Sequence, residues 1–133
     1  MMHGSGRMGM TRVAAGIALI LAPALASAQS MQVPRPSAGL MPNAALGKKL
    51  FSANCAQCHG ADLRGSKDGP SLLHRIYEPS HHGDAAFQLA VKYGSRQHHW
   101  NFGDMKAIPG LSADEVAHIT AWVRIEQRRA GIR

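Results

Sequence analysis

The stretch that decides the fold is Cys55-Ala56-Gln57-Cys58-His59, which holds the only two cysteines of the 133-residue chain. A disulfide between them would close a ring across two residues, and so short a ring restrains the unfolded chain very little. A dithiol redox pair is typical of a βαβ setting, and the sequence has no strand pattern. A zinc site needs four ligands, and neither a second C-x-x-C nor an H-x-x-x-H is present. The two cysteines therefore indicate a different chemistry.

The same five residues match the attachment sequence of a c-type haem. Two thiols at this spacing can reach the two vinyl groups of one porphyrin and form thioethers with them. The histidine that follows directly is then held beneath the iron as an axial ligand. We therefore predict one haem c with its iron, attached through Cys55 and Cys58 and ligated by His59.

The N-terminal 28 residues have the pattern of an export signal. Arg7 and Arg12 form a basic region, residues 13–25 are an apolar run, and the small residues Ala26-Ser27-Ala28 follow. We predict cleavage after Ala28 and a periplasmic mature chain. The apolar run is shorter than the about 20 residues that span a bilayer, so an uncleaved membrane anchor is the less favoured alternative.

Residues 29–42 hold three prolines and no sustained periodicity, which predicts a flexible leader ahead of a domain at residues 43–133. The whole chain has only three Phe, two Tyr and two Trp. A domain this small and this poor in aromatic residues often needs a bound group to be stable. A buried porphyrin would supply the missing apolar volume.

The domain has helical patterns and no strand pattern. Asn43 can cap a first helix that ends near Asn54. A second helix is predicted over residues 84–93, with Asp84 as its N-cap and Gly94 as its end. The last helix begins with the capping box Ser112-Ala113-Asp114-Glu115, and its final turns carry Arg124, Arg128 and Arg129 near the negative end of the helix dipole. We therefore predict an all-α domain of three to five helices around one haem.

The second axial ligand is predicted by elimination among the methionines, because the iron of a c-type haem is usually held by His and Met. Six of the seven methionines lie in the predicted signal peptide or leader: Met1, Met2, Met8, Met10, Met31 and Met41. Met105 is the only one downstream of the haem motif, in a loop before the last helix. We therefore predict Met105 as the second ligand of the iron.

Residues 43–125 resemble a small soluble class I cytochrome c. The features that carry the resemblance are Gly47 and Phe51, the motif with Gly60, the run Gly69-Pro70-Ser71-Leu72, the run Gly103-Asp104-Met105, and Leu111-Ser112 with the helix around residues 119–122. The resemblance implies a cytochrome c fold, in which Gly47 and Phe51 pack against the last helix near Trp122. It also implies that the Pro70 carbonyl accepts a hydrogen bond from the ring of His59 and orients it.

Two pairs of histidines do not follow the pattern of that family. They are His81-His82 and His98-His99, and the second pair lies six residues before Met105. A metal site, an alternative iron ligand and pH-sensitive contacts with a partner are all compatible with such pairs, and exposed histidines without a role are common. Trp100 could cover a haem edge, bond a propionate through its indole N–H, or simply pack.

Two filled axial positions predict a one-electron carrier rather than an enzyme. No catalytic base, nucleophile or substrate pocket is indicated. The carrier would be a free shuttle or the haem subunit of an oxidoreductase complex. One alternative is a haem c enzyme or ligand-binding protein with an open or labile sixth coordination site, and another is a thiol- or metal-handling protein without haem.

The charge of the chain bears on its partners. Fifteen basic and eight acidic side chains give a formal net charge of +7, or +5 once Arg7 and Arg12 leave with the signal peptide. We expect redox-partner proteins with acidic docking surfaces, although such a charge also serves solubility. Nucleic acid is not expected, because export separates the chain from it and no aromatic-rich basic motif is present. Membrane contact is expected only through a partner complex or an uncleaved signal segment.

Overall fold

The computed structural model describes Met1 and residues 31–133, so the predicted cleavage after Ala28 lies outside the described residues. The described part contains four helices and no sheet: α1 (Ala44–Asn54), α2 (Ala56–His59), α3 (Asp84–Tyr93) and α4 (Ala113–Arg129), with a 3₁₀ turn at Arg75–Tyr77. The all-α prediction is confirmed, and the number of helices lies in the predicted range. Within the same residues, no helix is both long and apolar enough to cross a membrane.

The first and last helices cross in backbone contact at Gly47. A Cβ atom at this position would lie 1.9 Å from the carbonyl oxygen of His118, so no side chain fits between the helices. At the same crossing, the backbone N–H of Asn43 donates to Nδ1 of His118 at 2.9 Å. One turn along α1, the Phe51 ring lies 4.9 Å from the Trp122 ring, centroid to centroid. The packing that the resemblance implies is therefore present.

The buried core is small and lies between α1, α4 and the loop that follows α2. Its buried members are Phe51, Leu63, Leu72, Ile119, Trp122 and Val123. Leu63 is fully buried although its backbone has a φ of 64°, a conformation that is uncommon for a residue with a side chain. Burial of its isobutyl group offsets the cost of that conformation and holds the loop against the helices.

The ends of the helices follow the predicted capping pattern with one exception. Asn43 accepts from the N–H of Leu46 at the start of α1, and the capping box of Ser112 and Glu115 is complete at the start of α4. The prediction of Asp84 as an N-cap is wrong, because Gly83 is the N-cap and Asp84 is the first residue of α3. The Asp84 carboxylate instead accepts a hydrogen bond from Arg124, and it still lies at the positive end of the helix.

The described part of the predicted leader, residues 31–42, contains no helix and lies against the domain. Ser37 donates to the Asp114 carboxylate with its backbone N–H at 2.6 Å and its hydroxyl at 2.8 Å. These hydrogen bonds lower the pKa of Asp114. Further upstream, the Tyr93 hydroxyl donates to the carbonyl of Gln32 at 3.1 Å. The segment is therefore held at two points on the domain surface.

We expect Gly47→Ala to lower the free energy of unfolding by about 3 kcal/mol, because the added methyl group meets backbone atoms that cannot move aside. Chemical denaturation of the haem-loaded protein measures the change. Gly83→Ala is the matched control, since its Cβ atom would lie 3.5 Å from the nearest atom and its φ is −63°. Equal stabilities of the two variants would show that α1 and α4 do not depend on this close approach.

Candidate haem-binding site

An apolar cavity of about 580 Å³ lies between the helices and the loop that follows α3. Its volume is in the range of about 300–1,000 Å³ that is usual for ligand sites. Four of the residues predicted for the site line its wall: Cys55, His59, Pro70 and Met105. Cys58 is exposed and is not among the residues of the wall. The fold thus brings together residues that are up to 50 positions apart in the sequence.

His59 ends the short helix α2, and its ring is held in one orientation. Its Nδ1 lies 2.9 Å from the carbonyl oxygen of Pro70. A carbonyl only accepts hydrogen bonds, so Nδ1 carries the proton and Nε2 keeps its lone pair. Burial lowers the pKa of His59, and the hydrogen bond to Pro70 opposes this only in part. The ring is therefore in the neutral form that binds a metal ion.

The carbonyl of Pro70 reaches His59 because the loop folds tightly beneath α2. The Ser66 hydroxyl donates to the carbonyl of Cys58 at 2.7 Å, and the Ser66 N–H donates to the carbonyl of Gly69 at 3.0 Å. A Cβ atom at Gly69 would lie 2.9 Å from the Cys58 carbonyl oxygen. Glycine at this position lets the loop approach closely enough for Pro70 to face the imidazole.

Of the two cysteines, Cys55 does not have the lowered pKa of a reactive redox thiol. Both are free thiols in the structure. Burial and, to a smaller extent, the neighbouring Cys58 raise the pKa of Cys55 to about 11. Reactive redox cysteines have a lowered pKa, because the thiolate is the nucleophile. A thiol that stays protonated at neutral pH is a poor candidate for disulfide exchange.

Met105 reaches the cavity through a short backbone pairing. Its N–H and carbonyl form two 2.9 Å hydrogen bonds with Ser95, the second residue after α3. Gly94, which lies between the end of α3 and Ser95, has a φ of 78°. A Cβ atom at Gly94 would lie 2.5 Å from the Met105 carbonyl oxygen. The predicted helix end at Gly94 thus also places the methionine. Met31 lines the cavity as well, which elimination by sequence position did not foresee.

Trp100 supplies an unsatisfied donor at the cavity wall. Its indole Nε1 is buried and has no hydrogen-bond partner among the described residues. The Tyr77 hydroxyl lies near the indole but outside hydrogen-bond geometry; burial raises the pKa of Tyr77, and the indole N–H opposes this rise only in part. A buried donor without a partner costs about 1–3 kcal/mol, and a carboxylate such as a haem propionate would satisfy it. The apolar wall, the imidazole lone pair, the thioether and this donor fit a haem c.

Arg124 is the residue of the site region whose role the sequence analysis missed. It was assigned to the helix dipole, but its side chain is buried and bonds four groups of the surrounding loops and helices. They are the Asp84 carboxylate at 2.9 Å, the Tyr77 carbonyl at 2.9 Å, the Gln127 side chain at 2.7 Å and the His82 carbonyl. The helical period could have predicted that Arg124 is buried, because it falls on the same face of α4 as Val116 and Thr120.

Comparison with known proteins agrees with this geometry. The family model of cytochrome c matches residues 44–125. The chain belongs to the cytochrome c family. It carries haem c with its iron, attached covalently, and Cys55 and Cys58 have the spacing for that attachment. Electron transfer is therefore its class of function.

One curated relative is similar to part of this cytochrome c. The Cbb3-type cytochrome c oxidase subunit CcoP of Rubrivivax gelatinosus is 68% identical over 28 residues. These residues make up 21% of this chain and only 9% of the length of that relative. No solved structure matches the chain.

We expect Arg124→Ala to lower the free energy of unfolding by at least about 2 kcal/mol, because it leaves buried carbonyls without a donor. Thermal or chemical unfolding of the haem-loaded protein measures the loss. Arg128→Ala removes an exposed arginine from the same helix, and we expect a change within about 0.5 kcal/mol. An equal loss of unfolding free energy in both variants would mean that the buried hydrogen bonds of Arg124 add nothing to stability beyond the effect of its charge.

Proposed function

We propose that this cytochrome c is an exported, periplasmic one-electron carrier whose haem iron is bound by His59 and Met105. One observation carries the proposal: Cys55, His59 and Met105 lie on the wall of the same apolar cavity. Residues 1–28 would be the signal peptide, residues 29–42 the leader and residues 43–133 the cytochrome domain. The proposed mature chain begins at Gln29.

The bound haem supplies an iron that takes up and releases one electron. His59 would hold the iron through Nε2, and the carbonyl of Pro70 keeps the imidazole neutral and correctly turned. The soft thioether of Met105 would favour the reduced iron and raise the potential. Two iron ligands supplied by the protein would leave no position on the iron for a substrate. This favours a carrier over a haem enzyme.

Electrons would enter and leave near the attachment point at Cys58. Its side chain is exposed, whereas Cys55 is partly buried and lines the cavity. A thioether at an exposed position keeps one edge of the porphyrin close to the protein surface. The rest of the ring would stay within the apolar wall, where water is excluded. A partner could then approach the haem edge without opening the fold.

The partner would be another redox protein, and two arrangements are compatible with the site. The net positive charge of the chain favours a partner with an acidic docking surface. A free shuttle is the first candidate. The haem subunit of an oxidoreductase complex is the second, supported by the partial similarity to an oxidase subunit.

Ligation by Met105 is tested by the weak long-wavelength band that sulfur-to-iron charge transfer gives in the ferric spectrum. We expect the wild-type protein to show this band and Met105→Ala to lose it entirely. Met31→Ala is the necessary control, because Met31 also lines the cavity and its removal should leave the band unchanged. Loss of the band in the control instead would assign the ligand to Met31. A high-spin wild-type protein would favour the enzyme or ligand-binding alternative.

Attachment and export are tested together by intact mass spectrometry of protein expressed with cytochrome c maturation machinery. We expect the mass of residues 29–133 plus one covalent haem, and we expect the covalent haem to be lost when both Cys55 and Cys58 are replaced by Ala. A mass that retains the first 28 residues would contradict the proposed cleavage. A mass without haem would contradict the proposed function itself.

A further inference from the structure

The two histidine pairs, which the proposed ligation of the haem iron does not use, meet in space beside the haem cavity, and His82, His98 and His99 line part of its wall. His81-His82 precede α3 and His98-His99 follow it. Nε2 of His81 lies 3.3 Å from Nε2 of His99, and Nε2 of His82 lies 3.4 Å from Nε2 of His98. Ring nitrogens of His81, His82 and His99 all lie within 4.8 Å of one another. Three imidazoles from two separate loops thus share one space, and the fourth, His98, contacts this group through His82.

One of these contacts, between His82 and His98, cannot be a hydrogen bond between neutral rings. Nδ1 of His82 lies 2.7 Å from the carbonyl oxygen of Ile76, and Nδ1 of His98 lies 2.7 Å from that of Arg96. Because a carbonyl only accepts, each Nδ1 carries the proton, and each Nε2 presents a lone pair. The 3.4 Å contact between them therefore brings two lone pairs together. Either a proton on one Nε2 or a metal cation between the rings would resolve this conflict.

Two of the distances between the rings have the spacing of tetrahedral metal coordination. Nitrogen ligands bind Zn²⁺ at about 2.0–2.1 Å, which places neighbouring ligand nitrogens of a tetrahedron about 3.3–3.4 Å apart. Both Nε2 pairs already have this separation. We propose that His81, His82, His98 and His99 bind one divalent transition-metal ion of the zinc and copper class, separate from the haem iron.

The surroundings of the cluster favour this use of the rings. Metal-binding histidines typically donate their other ring N–H to a carbonyl or carboxylate, as His82 and His98 do. Arg124 fixes the loop by donating to the carbonyl of His82 itself. Desolvation and the neighbouring imidazoles lower the pKa of both His82 and His99, and a neutral imidazole is the form that binds a metal ion.

The choice of ion follows from the donors. Four imidazole nitrogens without a carboxylate or thiolate suit Zn²⁺ and Cu²⁺ and disfavour Mg²⁺, which prefers oxygen ligands. Cu²⁺ generally binds nitrogen sites more tightly than Zn²⁺ does. The tetrahedral spacing, in contrast, matches Zn²⁺, which has no geometric preference of its own. We therefore expect both ions to bind at this one site, and Mg²⁺ not to bind.

The test is equilibrium dialysis of untagged, haem-loaded protein against buffered Zn²⁺, Cu²⁺ or Mg²⁺, with the bound metal counted by elemental analysis. We expect one Zn²⁺ or one Cu²⁺ per chain in addition to the iron, and no Mg²⁺. Absorption at the zinc edge should show nitrogen ligands at about 2.0–2.1 Å. Binding of Cu²⁺ without any binding of Zn²⁺ would overturn the tetrahedral assignment, and no binding of either ion would overturn the site.

Variants connect the binding to the cluster. We expect the double variant His81→Ala/His99→Ala to lose more affinity for Zn²⁺ than the roughly 10- to 100-fold that removal of an outer-shell partner costs. Arg128→Ala changes an exposed residue of α4 outside the cluster and should bind Zn²⁺ as the wild type does. The haem absorption spectrum of each variant reports that the fold is retained. Equal affinities in the double variant and the wild type would overturn the proposal.

Discussion

The close contact between the backbones of α1 and α4 at Gly47 is the constraint on which the site depends. Because α1 ends at Asn54 and the haem motif begins at the next residue, the position of α1 on α4 determines where Cys55 enters the cavity. The hydrogen bond from Asn43 to His118 fixes the same crossing from its other side. A shift of either helix would therefore move the attachment point relative to Met105, which reaches the cavity from a different loop. The lack of a side chain at one position thus controls the geometry of the site.

Arg124 is a second constraint, and it shows how so small a core can hold long loops. A buried guanidinium is costly unless its donors are satisfied, and this one bonds two backbone carbonyls, an amide and a carboxylate. It joins α4 to the end of the 3₁₀ turn, to the loop of His82 and to the start of α3 at Asp84. Apolar side chains alone would not fix these loops, since their backbone groups need partners. A charge on the core face of α4 provides them.

Much of the fold was predictable from local signals in the sequence. The capping box at Ser112, the helix end at Gly94 and the haem motif each depend on a few neighbouring residues whose chemistry has few alternatives. The sequence predicts Asp84 and Arg124 separately as helix-end residues, because each fits such a position locally. In the structure they bond to each other, although they lie 40 positions apart in the sequence. Elimination among the methionines has the same weakness. Met31 is remote from the motif in sequence, yet the chain folds back and brings it to the cavity wall.

Three histidines of the described residues form the same kind of hydrogen bond to the backbone, and they differ in the environment of Nε2. His59, His82 and His98 each place Nδ1 against a backbone carbonyl, which leaves a lone pair on Nε2. The ring of His59 lines the apolar cavity with Pro70 behind it, and His82 and His98 line the same cavity. For His82 and His98 the lone pairs face each other. The same local hydrogen bond therefore suits one imidazole to the proposed ligation of the haem iron and the two others to the proposed ion between them. Because carbonyl partners of this kind depend on loop conformation, neither role follows from the identity of the histidines alone.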